Sequence, residues 1–243
     1  GVQTCALPIS AALVTCIVLG KRIGYGTDNM APHNLVLSVT GAALLWVGWF
    51  GFNAGSALTA GANAGMALLV TQIATAAAAL SWTVAEWAVA RKPSVLGMIS
   101  GAVAGLVAIT PASGFVDPAG ALVIGLSAGV VCYLAAVQMK RRLGYDDSLD
   151  AWGVHGVGGA LGAILTGVFA NSAINPAGKG WLADGNFHQV LIQLYSVAAT
   201  FAYCAIVTFL ILKAIDATIG LRVSREAEIE GLDLHLHGES LHN

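Results

Sequence analysis

The feature that most constrains this chain is a succession of apolar runs, each of membrane-spanning length, at residues 34–55, 62–90, 94–111, 118–139, 150–171 and 188–215. About 20 apolar residues make a helix that crosses the ~30 Å hydrocarbon core. Backbone groups in hydrocarbon must pair among themselves, so such runs become helices or a closed barrel. The period-two alternation of a barrel is absent, which predicts an all-α fold, a polytopic membrane helical bundle. Composition agrees, with 57% hydrophobic residues, 10% charged and a mean hydropathy of +0.77. A soluble domain carries about a quarter charged residues. A shorter run, Ala11 to Gly20, reaches only about 15 Å and reads as the tail of a helix whose beginning is missing.

Charge then orients the runs. Lys21, Arg22, Arg91, Lys92, Lys140, Arg141, Arg142, Lys213, Arg222 and Arg225 fall at alternate ends, while the opposite loops hold only Lys179. By the positive-inside rule the ten lie on the cytoplasmic side, together with the C-terminus. The expected organisation is a leader at 1–10, a transmembrane domain at 11–216 and a cytoplasmic tail at 217–243. The leader, GVQTCALPIS, lacks the initiator Met and basic n-region of a signal peptide. It looks like the translation of a sequencing adapter joined to a gene, and is expected to be non-native.

Several classes of function are disfavoured. A net charge of -2 argues against a nucleic-acid partner. Cys5, Cys16, Cys132 and Cys204 stand singly, as small core residues rather than a disulfide framework or a zinc site. His235, His237 and His242 are irregularly spaced in a charged tail and read as solvated. Neither GxSxG nor HExxH occurs, and the GxG at 156–158 lies inside an apolar run rather than after a strand. An enzyme is therefore not expected, nor a cofactor or metal.

Two stretches carry chemistry. Leu149 to Val168, LDAWGVHGVGGALGAILTGV, sets one imidazole, His155, among five glycines. Such a residue is either a structural histidine bonded to a carbonyl or part of a path through the membrane, because an intramembrane ionisable group survives mostly where it faces a cavity or a partner. Glycines let neighbouring helices approach closely. The second stretch, Trp46 to Ser56, places Trp49, Phe50 and Phe52 ahead of Asn53, Gly55 and Ser56. It is either an aromatic belt at the interface or an aromatic wall with polar acceptors that holds a small cation.

The motifs GWFGFNAGSA at 48–57, TPASGFV at 110–116, DAWGVHGVGG at 150–159 and the ending GLRV…EGLD…HGES at 220–240 resemble the ammonium transporter family (Amt/MEP/Rh), its bacterial Amt branch in particular. The resemblance runs from residue 11 to the C-terminus. It implies the second half of an eleven-helix inverted-repeat fold, assembled as a homotrimer in the lipid bilayer of the inner or plasma membrane. The substrate implied is ammonium or ammonia, with methylammonium as an analogue. By motif, Ser56 resembles a vestibule serine, Phe52 one of two stacked gate phenylalanines, Trp49 a pore-lining tryptophan and His155 the second of twin pore histidines. Thr110 matches a threonine near the pore.

A PII signal protein at the cytoplasmic face is a further implied partner. The chemistry suits the residue types, since ammonium can shed a proton and cross a dry pore as ammonia whereas potassium cannot. A neutral imidazole offers one donor and one acceptor for that passage. The first five helices of the family, apart from the end of the fifth, have no counterpart here. The first pore histidine and the other gate phenylalanine go with them, so this chain by itself is expected not to transport. An ammonium sensor of the same family remains the alternative, although a sensor usually carries an appended signalling domain.

Overall fold

In the computed structural model the chain is helical throughout, with no strand among the described residues; these are residues 2–240, with side chains from residue 9 onward. Helix α1 covers Val2–Leu19, α2 Leu35–Gly55, α3 Ala62–Ala90 and α4 Val95–Ile109. Helix α5 covers Pro118–Leu143 and α6 Ala151–Phe169. The short α7 is Trp181–Asp184, followed by α8 at Phe187–Thr218 and α9 at Arg225–Glu230. Of these, α2, α3, α5, α6 and α8 are long and apolar enough to cross a membrane.

Local chemistry sets the starts. Asn34, Ser94 and Asp117 stand in extended conformation, and each side-chain oxygen accepts the backbone N–H three residues on, at 3.0, 2.9 and 2.7 Å. Each such bond satisfies one of the donors a helix leaves unpaired. Pro118 follows Asp117 at the first helical position, where a missing N–H is no loss.

Three boundaries differ from the sequence reading. The run at 94–111 is shorter as a helix, Val95–Ile109, because Pro111 has no N–H to donate and disfavours the helical conformation of Thr110. At 1.5 Å per residue it reaches about 22 Å, less than a bilayer, so this run does not span as a helix. The run at 118–139 instead continues through the basic residues to Leu143. Residues 2–10, expected to stand apart from the fold, continue the backbone of α1. The side chain of Cys5, and His242 entirely, lie outside the described residues.

Close backbone approaches fix the directions of the helices. A Cβ added at Gly125 or Gly129 of α5 would lie 2.3 Å from the Ala74 or Ala78 carbonyl oxygen of α3, so these two helices run parallel. Gly105 meets Ala74 and Thr75 while Gly101 meets Ala78 and Trp82, so α4 runs antiparallel to α3. Gly158 faces Ala104 and Gly162 faces Ala108, which sets α6 parallel to α4. Gly167 meets Val190 while Trp152 stacks at 5.6 Å on Phe201, so α8 returns antiparallel to α6. Helices in lipid gain little from apolar burial against one another, and this intimacy supplies dispersion contacts in its place. Val70, Ala74, Ala78, Ile109, Ile124 and Ala128 form the resulting core, with Trp82 and Tyr133 edge-to-face at 5.7 Å beside it.

Candidate functional site

Residues 49, 52, 53 and 56 recur at intervals of three and four, so they share one face at the end of α2. Trp49 Nε1 donates to Thr110 Oγ1 at 2.7 Å, and Thr110 Oγ1 donates to the Leu106 carbonyl at 2.6 Å. The Phe52 ring meets Trp49 edge-to-face at 5.8 Å and is 50% exposed. Ser56, also exposed, donates its hydroxyl to the Phe52 carbonyl at 2.6 Å. Four of the five residues singled out from sequence thus meet at one end of the bundle. Asn53, which the sequence reading noticed without assigning a partner, is buried and donates to Thr71 Oγ1 at 2.9 Å.

His155 stands apart from that cluster. The pairing of Gly158 with Ala104 and Gly162 with Ala108 puts it level with Gly101, halfway along α4. Thr110 lies nine residues further along α4, roughly 13 Å in axial rise. The imidazole is half-buried and bonds to no other described residue.

The backbone that carries His155, Ala151–Gly156, is a π-helical stretch at the start of α6. Wider turns of this kind occur frequently at functional sites and re-aim the side chains they carry. A side-chain clamp holds this one in place. The Asp147 carboxylate accepts the N–H groups of Ala151 at 3.0 Å and Trp152 at 2.8 Å. Lys140 donates to the Asp147 carbonyl at 3.1 Å and pairs with Asp150. Gly153 then lets Ala136, in a second π-helical stretch at Leu134–Met139, come within 2.6 Å of where a Cβ would stand.

The basic loops gather at the other end of the bundle. Arg22 donates through Nε and Nη2 to Asp146 at 2.8 and 2.7 Å, and the Asp146 side chain is 1% exposed. Burial pushes that carboxyl up, but the hydrogen bonds and charge of Arg22 outweigh it and hold the group below the usual carboxylate range. The Tyr145 hydroxyl beside them is buried without a hydrogen-bond partner among the described residues. Burial, then the charge of Asp147, push it up to about 12. The tail docks on the same surface. Arg222 donates to the carbonyls of Leu19 at 3.1 Å and Lys21 at 2.8 Å while holding Glu228 at 2.7 Å, and Glu228 accepts the Ile23 N–H at 2.7 Å. A cleft of about 1180 Å3 opens there between α1, the loop before α6 and the tail, and His155 does not line it.

A model of the Ammonium Transporter Family matches residues 9–241. The chain belongs to the ammonium transporter family. It is 48% identical over 229 residues to the ammonium transporter of Bacillus subtilis, which covers 94% of this chain and 56% of that protein. To the ammonium transporter Amt1 of Archaeoglobus fulgidus it is 49% identical over 230 residues, 94% of this chain and 58% of that one. Among solved structures it is similar to Saccharomyces cerevisiae Mep2, with a TM-score of 0.83 and 36% identity over 91% of this chain and 53% of that one. A structure described as a sensor Amt protein gives a TM-score of 0.86 and 30% identity over 98% of this chain and 59% of that one. The chain therefore spans little more than half the length of the relatives it matches. Membership and the apolar helices together make it a multi-pass membrane protein of the ammonium transporter type.

Proposed function

We propose that this chain supplies one side of an ammonium-conducting path through the cell membrane. Ammonium is received at the mouth formed by Trp49, Phe52 and Ser56, and ammonia passes the His155 imidazole toward the basic-loop end. The observation that carries the reading is the Trp49–Thr110 hydrogen bond of 2.7 Å, which ties the mouth to α4, the helix whose middle lies level with His155. The aromatic faces and the Ser56 oxygen suit a small cation, and a half-buried imidazole without a described partner is free to bond a passing ammonia. An enzymatic role has no supporting motif.

The test joins this chain to the N-terminal half of the Bacillus subtilis relative and measures ammonium current in proteoliposomes. His155→Ala should lower conduction, or its selectivity over potassium, by about tenfold, the effect of one lost hydrogen bond of ~1.4 kcal/mol in a dry path. Trimer assembly, read as the mass of the detergent-solubilised particle, should persist. Unchanged conduction and selectivity would make His155 a packing residue. Saturable ammonium binding without current would instead favour the sensor reading, which the likeness to the sensor Amt structure supports.

The ten basic residues at one end place that end in the cytoplasm, with the tail and the surface offered to a PII signal protein. Single cysteines at positions 140 and 179 check this with an impermeant thiol reagent on intact cells. Labelling should occur at 179. Labelling at 140 alone overturns the orientation, and the PII contact with it.

A further inference from the structure

A second cavity, of about 200 Å3, lies at the end opposite the basic loops, between α6, α8 and the loop that follows α6. Pro111, Phe115 and Thr166 form its floor, and Lys179, Gln189 and Gln193 bring polar ends to it. Lys179 is exposed and forms no ion pair among the described residues. The carboxylate on its own loop is committed elsewhere: Asp184 accepts from the Ser172 N–H at 3.2 Å, the Ser172 hydroxyl and the Gly180 N–H at 3.1 Å.

Gln189 and Gln193 lie one turn apart on α8, both half-buried, and neither side-chain amide bonds to another described residue. Each offers two N–H donors. Amides left half-buried in a spanning helix without partners are costly, which points to a ligand that accepts from them. The walls are braced in advance. The Asn171 N–H donates to the Phe115 carbonyl at 2.9 Å, Asn175 Nδ2 to the Gly114 carbonyl at 3.2 Å, and the Gly180 N–H to the Ala170 carbonyl at 3.0 Å.

One ammonium and two amide groups make a receptor for an anion, and the surroundings say which kind. Trp181 and Phe187 pack edge-to-face at 5.1 Å beside the cavity, both exposed. Below them Leu191, Ile192, Leu194 and Tyr195 leave an apolar exposed surface along α8. A ligand that fits both parts has an anionic head and apolar chains. We propose that this cavity holds the phosphodiester headgroup of an anionic phospholipid. Lys179 pairs with the phosphate, Gln189 and Gln193 donate to its oxygens, and the acyl chains lie along α8. Free phosphate shares the headgroup chemistry but makes no use of the apolar track. The proposal requires that the chain sit in a membrane and is independent of what the chain transports.

Native mass spectrometry of the chain in detergent tests it, with phosphatidylglycerol, phosphatidylcholine and inorganic phosphate as probes. Phosphatidylglycerol should bind about fivefold more tightly than phosphatidylcholine, the preference expected of one lysine near a lipid phosphate. Lys179→Gln should remove that preference and Lys179→Arg should restore it, while Lys92→Gln at the other end should leave it unchanged. Gln193→Leu should weaken binding further, with helicity by circular dichroism reporting that each variant still folds. Equal affinity of the unsubstituted chain for the two lipids overturns the proposal. So does a preference that survives Lys179→Gln in a folded variant, or inorganic phosphate binding as tightly as phosphatidylglycerol.

Discussion

In α5 a Cβ added at Gly125 would lie 2.3 Å from the Ala74 carbonyl oxygen, whereas at Gly41, Gly48 and Gly51 of α2 it would meet nothing within 4 Å. Both helices are apolar, glycine-bearing and long enough to span, yet 56% of the α5 window is buried and none of the α2 window. Glycine spacing therefore marks where a backbone is able to approach, and the neighbouring helix decides whether one does. In α3, α4, α5 and α6 the small residues face one another. In α2 they face outward, and that helix is held by polar side chains at its far end.

The largest effect expected from this contrast is that of a bulky residue at each kind of glycine. Gly125→Leu must push α3 and α5 apart at a backbone contact, a cost of about 3 kcal/mol or more. Gly48→Leu should change the stability of the isolated chain by less than about 0.5 kcal/mol, as at an open surface. Thermal unfolding in detergent, followed by circular dichroism, reads both. Equal destabilisation would break the comparison. A stable Gly48→Leu chain that fails to assemble would sharpen it, by identifying the α2 face as a surface covered by protein.

The same contrast explains what could be read from the sequence. The spans were legible because twenty apolar residues have one solution in lipid, and the starts at Asn34, Ser94 and Asp117 were within reach because a cap is chemistry between residues three apart. The glycines of α4, α5 and α6 read correctly as packing signals. Those of α2 are indistinguishable from them in one dimension. At the site, Trp49, Phe52, Ser56 and Thr110 came from motif resemblance, but the bond from Trp49 to Thr110 joins residues 61 apart and no local rule foretells it. The π-helical carriage of His155 escaped notice because nothing in AWGVHG distinguishes it from an ordinary helical turn. The cluster DDSLD beside the basic KRR did hold the clue. Carboxylates at that spacing were assigned to a helix start in general, whereas Asp147 caps the backbone and Asp150 pairs with Lys140.

The smallest effect concerns how α2 is attached. Asn53 is the buried residue of that helix, and its amide donates to Thr71 Oγ1 of α3 at 2.9 Å. Hydrogen bonds between membrane helices contribute about 0.6 kcal/mol on average and seldom above ~1.7 kcal/mol. Thr71 keeps its own bond to the Ala67 carbonyl at 2.6 Å, so removing the amide does not leave that hydroxyl without a partner. Asn53→Leu should therefore cost about 1 kcal/mol rather than the several expected at Gly125. Because the truncation also changes packing, the bond itself is isolated by a cycle with Thr71→Val. A coupling of about 0.6 kcal/mol or more in detergent unfolding would mark the pair as the anchor of α2. Additive single and double variants would show that α2 is held by its connection to α3 and by Trp49 alone, and the distinction between a packed core and a tethered outer helix would then rest on the glycine contacts.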